Sequence, residues 1–111
     1  MKIQEAKNAE EAIWSFVKNH RGYVLYPHEL AAGEMADLHY HRRANEWLVI
    51  SNGSFEVELA GEKKTFERLN GTIIIHFPKG RRHGLLAHSK IKYFVIRDKK
   101  DRNVYCLRSR K

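Results

Sequence analysis

His39-Tyr-His-Arg-Arg-Ala-Asn-Glu-Trp-Leu-Val-Ile-Ser-Asn-Gly-Ser-Phe-Glu-Val-Glu-Leu59 is the stretch on which the fold turns. Its last six residues alternate polar and apolar, so Phe55, Val57 and Leu59 share one face of a strand. Glu46–Ile50 reads as a second strand, and Asn52-Gly53 between the two is the strongest short hairpin signal a sequence offers. A turn is therefore predicted there. His39 and His41 stand one residue apart, so in a strand both imidazoles point to one face and Tyr40 to the other. The four residues Arg42–Asn45 suffice for a turn that returns Glu46 to the histidine face. Two imidazoles and a carboxylate converging inside a barrel make a divalent-metal site.

The pattern continues outward in both directions. Apolar runs at 23–26, 72–77 and 91–96 are separated by turn signals at Ala60-Gly61, Asn70-Gly71 and Pro78-Lys79-Gly80. Many short strands with such punctuation predict an all-β sandwich or barrel. His83 follows the Pro78–Gly80 turn and is the natural fourth ligand. On the N-terminal side, Asn8 is an N-cap with Glu11 three residues on, as in a capping box. Ile13, Trp14, Phe16 and Val17 follow on one helical face, which predicts one short helix over about 9–19. Trp47 and Val49 should point away from the metal face and need a cover, from this helix, another strand layer or a dimer mate.

Composition bounds the function classes. The 111 residues suit one domain, predicted over 1–111 with its barrel at about 23–97 and a basic strand or tail at 98–111. One cysteine, Cys106, excludes an intrachain disulfide framework and a multi-cysteine zinc site. The apolar runs are too short for a membrane-spanning helix, and Met1–Glu5 opens no signal-peptide core, so a cytoplasmic location is expected. Lys and Arg number 21 against 13 Asp and Glu, a formal net charge of +8. Such an excess favours an anionic partner, but it is uneven. Residues 1–40 hold four basic and six acidic side chains; residues 41–111 hold seventeen and seven. With no helix-turn-helix, RNP-type aromatic motif or zinc finger beside it, a nucleic-acid partner is not expected.

The spacing resembles that of the cupins. Their first motif runs Gly, five residues, His-x-His, four residues, Glu, six residues, Gly, and Gly33, His39, His41, Glu46 and Gly53 fall on every position. Their second runs Gly, five residues, Pro-x-Gly, two residues, His, three residues, Asn. Gly71, Pro78, Gly80 and His83 match it with one extra residue before Pro78, and Ala87 stands in the Asn position. The resemblance implies a cupin-type antiparallel β-barrel (a double-stranded β-helix or jelly roll), often dimeric, with one divalent metal ion (Fe, Mn, Ni or Zn) held by His39, His41, Glu46 and His83. The run from His39 also looks like the cupin part of mannose-6-phosphate isomerases, which carries His-x-His-Arg and a following Trp-x-Val-x-Ser-Gly run.

Arg42-Arg43 follows one such ligand and Arg81-Arg82 precedes another. Arginine forks match carboxylate and phosphate, so Arg42 and Arg81, with His76, are the candidate substrate-binding residues for a small anionic molecule. The expected activity is that of a small metalloenzyme of dioxygenase or isomerase type, working as a homodimer. The alternatives are a cupin that binds an anionic ligand without turnover, a sugar-phosphate cupin, or a structural or nucleic-acid-associated protein with a vestigial site.

Overall fold

Asn8 caps the helix as its side chain demands: the Asn8 side-chain Oδ1 accepts from the Glu11 N–H at 2.8 Å, and Glu10 and Glu11 place negative charge in the first turn. The computed structural model describes residues 1–106; Leu107 and the rest of the basic tail lie outside the described residues. In chain order the elements are β1 (Lys2–Ala6), α1 (Ala9–Val17), β2 (Val24–Leu30), β3 (Met35–Tyr40), β4 (Glu46–Leu59), β5 (Glu62–Phe77), β6 (His83–Ala87), β7 (Ile91–Arg97) and β8 (Val104–Tyr105). Every pairing is antiparallel, as an all-β jelly roll requires.

The long strands β4 and β5 organise the sheet. The first half of β4 pairs with β7 on one side and the second half of β5 on the other, while its second half pairs with β6 and the first half of β5. Strand β2 extends the sheet beyond β7, β1 extends it beyond β5, and β3 and β8 continue it from β6. Two strand layers thus share one β4–β5 hairpin.

That hairpin turns at Ala60-Gly61, where both residues have positive φ (49° and 87°) as a two-residue turn of matching twist needs. Asn52-Gly53 does not turn the chain, contrary to the expectation. Strand β4 runs through it with Asn52 at φ 63° and Gly53 at φ 105°, and the register slips on either side of Gly53. The left-handed conformations that suit a turn are used here for a bulge that bends β4 from one layer into the other. Asn70-Gly71 lies inside β5 in the same way, and the Asn52 side-chain oxygen accepts from the Gly71 N–H at 3.0 Å, joining the two bends.

Between the layers the core holds Leu48, Ile50, Phe55, Val57, Ile73 and Ile75. Val49, Ile74 and Ile96 face outward and are covered by α1 through Ala12, with Ile13 and Phe16 packed alongside. The cover for Trp47 and Val49 is therefore the helix. Phe16 and Trp47 rings lie 5.1 Å apart. The helix ends at Val17, two residues short of the expected limit, and Trp14 is 61% exposed because it lies about 100° around the helix from Ile13, off the face that packs on the sheet.

Candidate metal centre

Three strands and a loop bring the site together. His39 sits near the end of β3, directly opposite His83 at the start of β6 and opposite Tyr105 of β8. His41 follows β3 in the loop, and Glu46 opens β4. All four side chains are buried, and one ligand atom from each lies within 4.8 Å of every other. Pairing of β3 with β6 sets His39 beside His83, and the short loop after β3 carries His41 and returns Glu46 to the same interior cluster.

Each imidazole is held by its far nitrogen. His39 Nδ1 lies 2.6 Å from the Asp37 carbonyl oxygen, His41 Nδ1 3.2 Å from that of Arg102, and His83 Nδ1 3.2 Å from that of Arg81. A carbonyl only accepts, so each neutral ring carries its proton on Nδ1 and turns an Nε2 lone pair into the site. Phe77 stacks on His83 with ring centroids 4.2 Å apart and fixes that ring's plane.

Glu46 lies among these rings. Its Oε1 is 2.9 Å from His41 Nε2 and its Oε2 is 2.9 Å from His83 Nε2. The contacts are close but not aligned as hydrogen bonds, and both Nε2 atoms are buried without a hydrogen-bond partner. Such atoms are costly to bury unless something satisfies them. A divalent cation among three Nε2 lone pairs and a carboxylate does so, and the donor set fits one.

The electrostatics suit the same role. Burial lowers the His39 pKa to about 4 despite the Asp37 carbonyl and the Glu46 charge, so the ring stays neutral at physiological pH. Burial alone raises the Glu46 pKa, but the imidazoles of His41 and His83 and the Arg97 guanidinium outweigh it and hold the carboxyl far below the usual range. Burial, and then the Glu46 charge, raise the Tyr93 hydroxyl to about 12, which keeps it a neutral hydrogen-bonding group.

A cavity of about 220 Å³ opens over this cluster. Leu30, Leu48, Phe77, Leu85 and Val95 form an apolar wall, and Arg97, Asn103 and Tyr105 bring polar atoms to it. Neither Arg42, Arg81 nor His76 lines this cavity. Arg42 is exposed and borders a separate depression with Arg43, Lys100 and Asp101. The Arg81 side chain is exposed, and its backbone carbonyl serves the site by orienting His83. His76 pairs with Trp47 across β4–β5 and stacks on it at 5.0 Å on the outer face. That register settles the strand after Gly71 and puts one face of β5 outside.

Arg97 is the cation that sequence reasoning passed over. It donates from Nε to Glu46 Oε1 at 2.8 Å, from one terminal nitrogen to the Asp101 carbonyl at 3.1 Å and from the other to Asn103 Oδ1 at 3.2 Å. In sequence it looks like one of many basic residues at the C-terminal end. Only the Glu46↔Arg97 register of β4 and β7 gives it away.

No protein-family model matches the chain, and no curated protein sequence matches it. Solved structures do. Salicylate 1,2-dioxygenase from Pseudaminobacter salicylatoxidans superposes with a TM-score of 0.60 at 19% identity, covering 69% of this chain and 21% of the dioxygenase. KdgF from Halomonas sp. gives a TM-score of 0.60 at 21% identity over 73% of this chain and 75% of KdgF. A conserved protein of unknown function from Streptococcus pyogenes gives 0.61 at 18% identity over 76% and 70% of the two chains. The chain spans about a fifth of the length of the dioxygenase. These are cupin-fold proteins, and the fold of this chain is the cupin fold, with a His-His-Glu-His cluster at its centre.

Proposed function

We propose that this chain is a metal-binding cupin of one domain over residues 1–111, acting in the cytoplasm as a small metalloenzyme of dioxygenase or isomerase type on a small anionic metabolite. The observation that carries this reading is the tethering: three imidazoles held at Nδ1 by backbone carbonyls gather with one carboxylate in a buried cluster. His39, His41, Glu46 and His83 would hold the ion, and imidazole with carboxylate suits Fe, Mn, Ni or Zn. Bound there, a divalent metal supplies Lewis-acid polarisation of a carbonyl or stabilises an enolate.

The residues around the cluster govern what reaches it. The cavity sets an apolar wall against polar groups, which favours a compact ligand with an apolar body and a polar end. The Tyr93 hydroxyl, kept protonated, and Tyr105 beside His39 can orient such a ligand. Salicylate dioxygenase has been solved with gentisate, a small anion, so gentisate and salicylate are the first probes for turnover.

The test is elemental analysis of protein purified without chelator or affinity-tag nickel, repeated on His41→Ala. Near-stoichiometric metal that vanishes in the variant supports the centre, whereas failure to take up Fe, Mn, Ni or Zn under loading sinks it. Oxygen uptake or isomerisation with the loaded protein then separates catalysis from binding alone. The same proposal includes a homodimer in solution. Sedimentation at the monomer mass would refute it.

A further inference from the structure

Arg97 is braced more firmly than an anion-recognising side chain needs to be. Three of its five N–H donors are engaged, on Glu46, Asp101 and Asn103, and its guanidinium lies 5.2 Å over the Tyr26 ring. Two of those holds lie on the Asp101–Asn103 segment, so the cation cannot swing away from Glu46 without leaving both. The same segment supplies the Arg102 carbonyl that orients His41.

A carboxylate ligates a metal through one oxygen or through both. The Glu46 Oε1 atom already accepts a charge-assisted hydrogen bond at 2.8 Å from this fixed cation. A dication approaching the same oxygen meets both the occupied lone pair and the guanidinium charge. Oε2 is free of Arg97.

We infer that Arg97 is a positioning residue that restricts Glu46 to ligation through Oε2 and so keeps a coordination position open toward the cavity for an exogenous anion. This rests on the metal-binding reading above and adds to it a device for leaving the centre accessible. Removing Arg97 releases Oε1 to take the position that an anion would occupy.

The probe is Co(II), with azide as the anion, followed by visible absorption. The wild-type chain takes Co(II), and azide perturbs its spectrum. Arg97→Gln retains Co(II) but binds azide about tenfold more weakly or worse, the order of effect that loss of a ligand's partner produces. Arg97→Lys, whose ammonium can still cap Oε1, restores most of the azide affinity. A merely structural arginine would weaken metal and azide binding together and show no such split.

A measurement on the wild-type chain covers the case in which Arg97→Gln does not fold. Infrared difference spectra with ¹³C-labelled glutamate, loaded minus metal-free, should show a carboxylate whose two stretches separate more widely than in the free ion, the mark of one-oxygen ligation. A narrow separation overturns the inference, as does unchanged azide affinity in Arg97→Gln. Failure of the wild-type chain to take Co(II) overturns the metal reading and this inference with it.

Discussion

Each of the three histidines is set by an atom outside its own side chain. His41 depends on the Arg102 carbonyl, 61 positions along the chain. Replacing His41 with alanine should cost more metal affinity than the roughly 10- to 100-fold lost with an outer-shell partner. Competitive titration against a chromophoric chelator measures this. The buried groups also set an acid limit. His39 has a folded pKa of about 4 against an ordinary 6.5, so between those values the unfolded chain binds a proton that the folded chain refuses. Stability of metal-free protein should therefore fall as pH drops from about 6.5 to about 4. Glu46 acts in the same direction below its ordinary value of 4.5, since its folded form stays ionised. Urea unfolding across this range checks the sign, and His39→Gln should flatten the upper part of the curve. The candidate cluster was legible because His39, His41, Glu46 and His83 lie on fixed spacings of strand and turn. Arg97 was not, because nothing local marks one arginine in a basic segment as the partner of Glu46.

At the scale of elements, one dipeptide carries the clearest lesson. Asn52-Gly53 has the composition of a hairpin turn, and its backbone does adopt the left-handed conformation that this composition favours. What the residues cannot specify is whether the chain reverses there. Strand β4 keeps partners on both flanks beyond the bend, so ladder pairing carries it straight on. Gly53→Ala tests the bend: a Cβ there would stand 2.8 Å from Ile91 Cγ2, at a φ of 105°. The variant should lose about 1–3 kcal/mol, measured by chemical unfolding. Asn8→Ala should cost about 1 kcal/mol through loss of the α1 cap. This second loss leaves metal affinity unchanged, because α1 covers the outer face and not the site.

For the whole molecule, metal and folding should be linked. The four ligand groups come from β3, the loop after it, β4 and β6, and they meet only in the folded chain. An ion that binds the folded state alone stabilises it by about 2.7 kcal/mol at a free concentration of 100 times Kd. Thermal unfolding should therefore shift upward with added metal and return with chelator, and His41→Ala should abolish the shift. The charge of +8 takes a different meaning at this scale. Arg42 and Arg43 stand outside the cavity, while Arg97, within it, is neutralised by Glu46. The sequence by itself determined the strand-rich class, the capped helix and the His-x-His, Glu and His residues of the candidate cluster, because alternation, capping and turn spacing are properties of neighbouring residues. Only the tertiary structure decided that Asn52-Gly53 bends a strand, that His76 faces out and that Arg97 grips Glu46. Those outcomes depend on pairing between β4, β5 and β7, whose register arises from packing across the whole sheet.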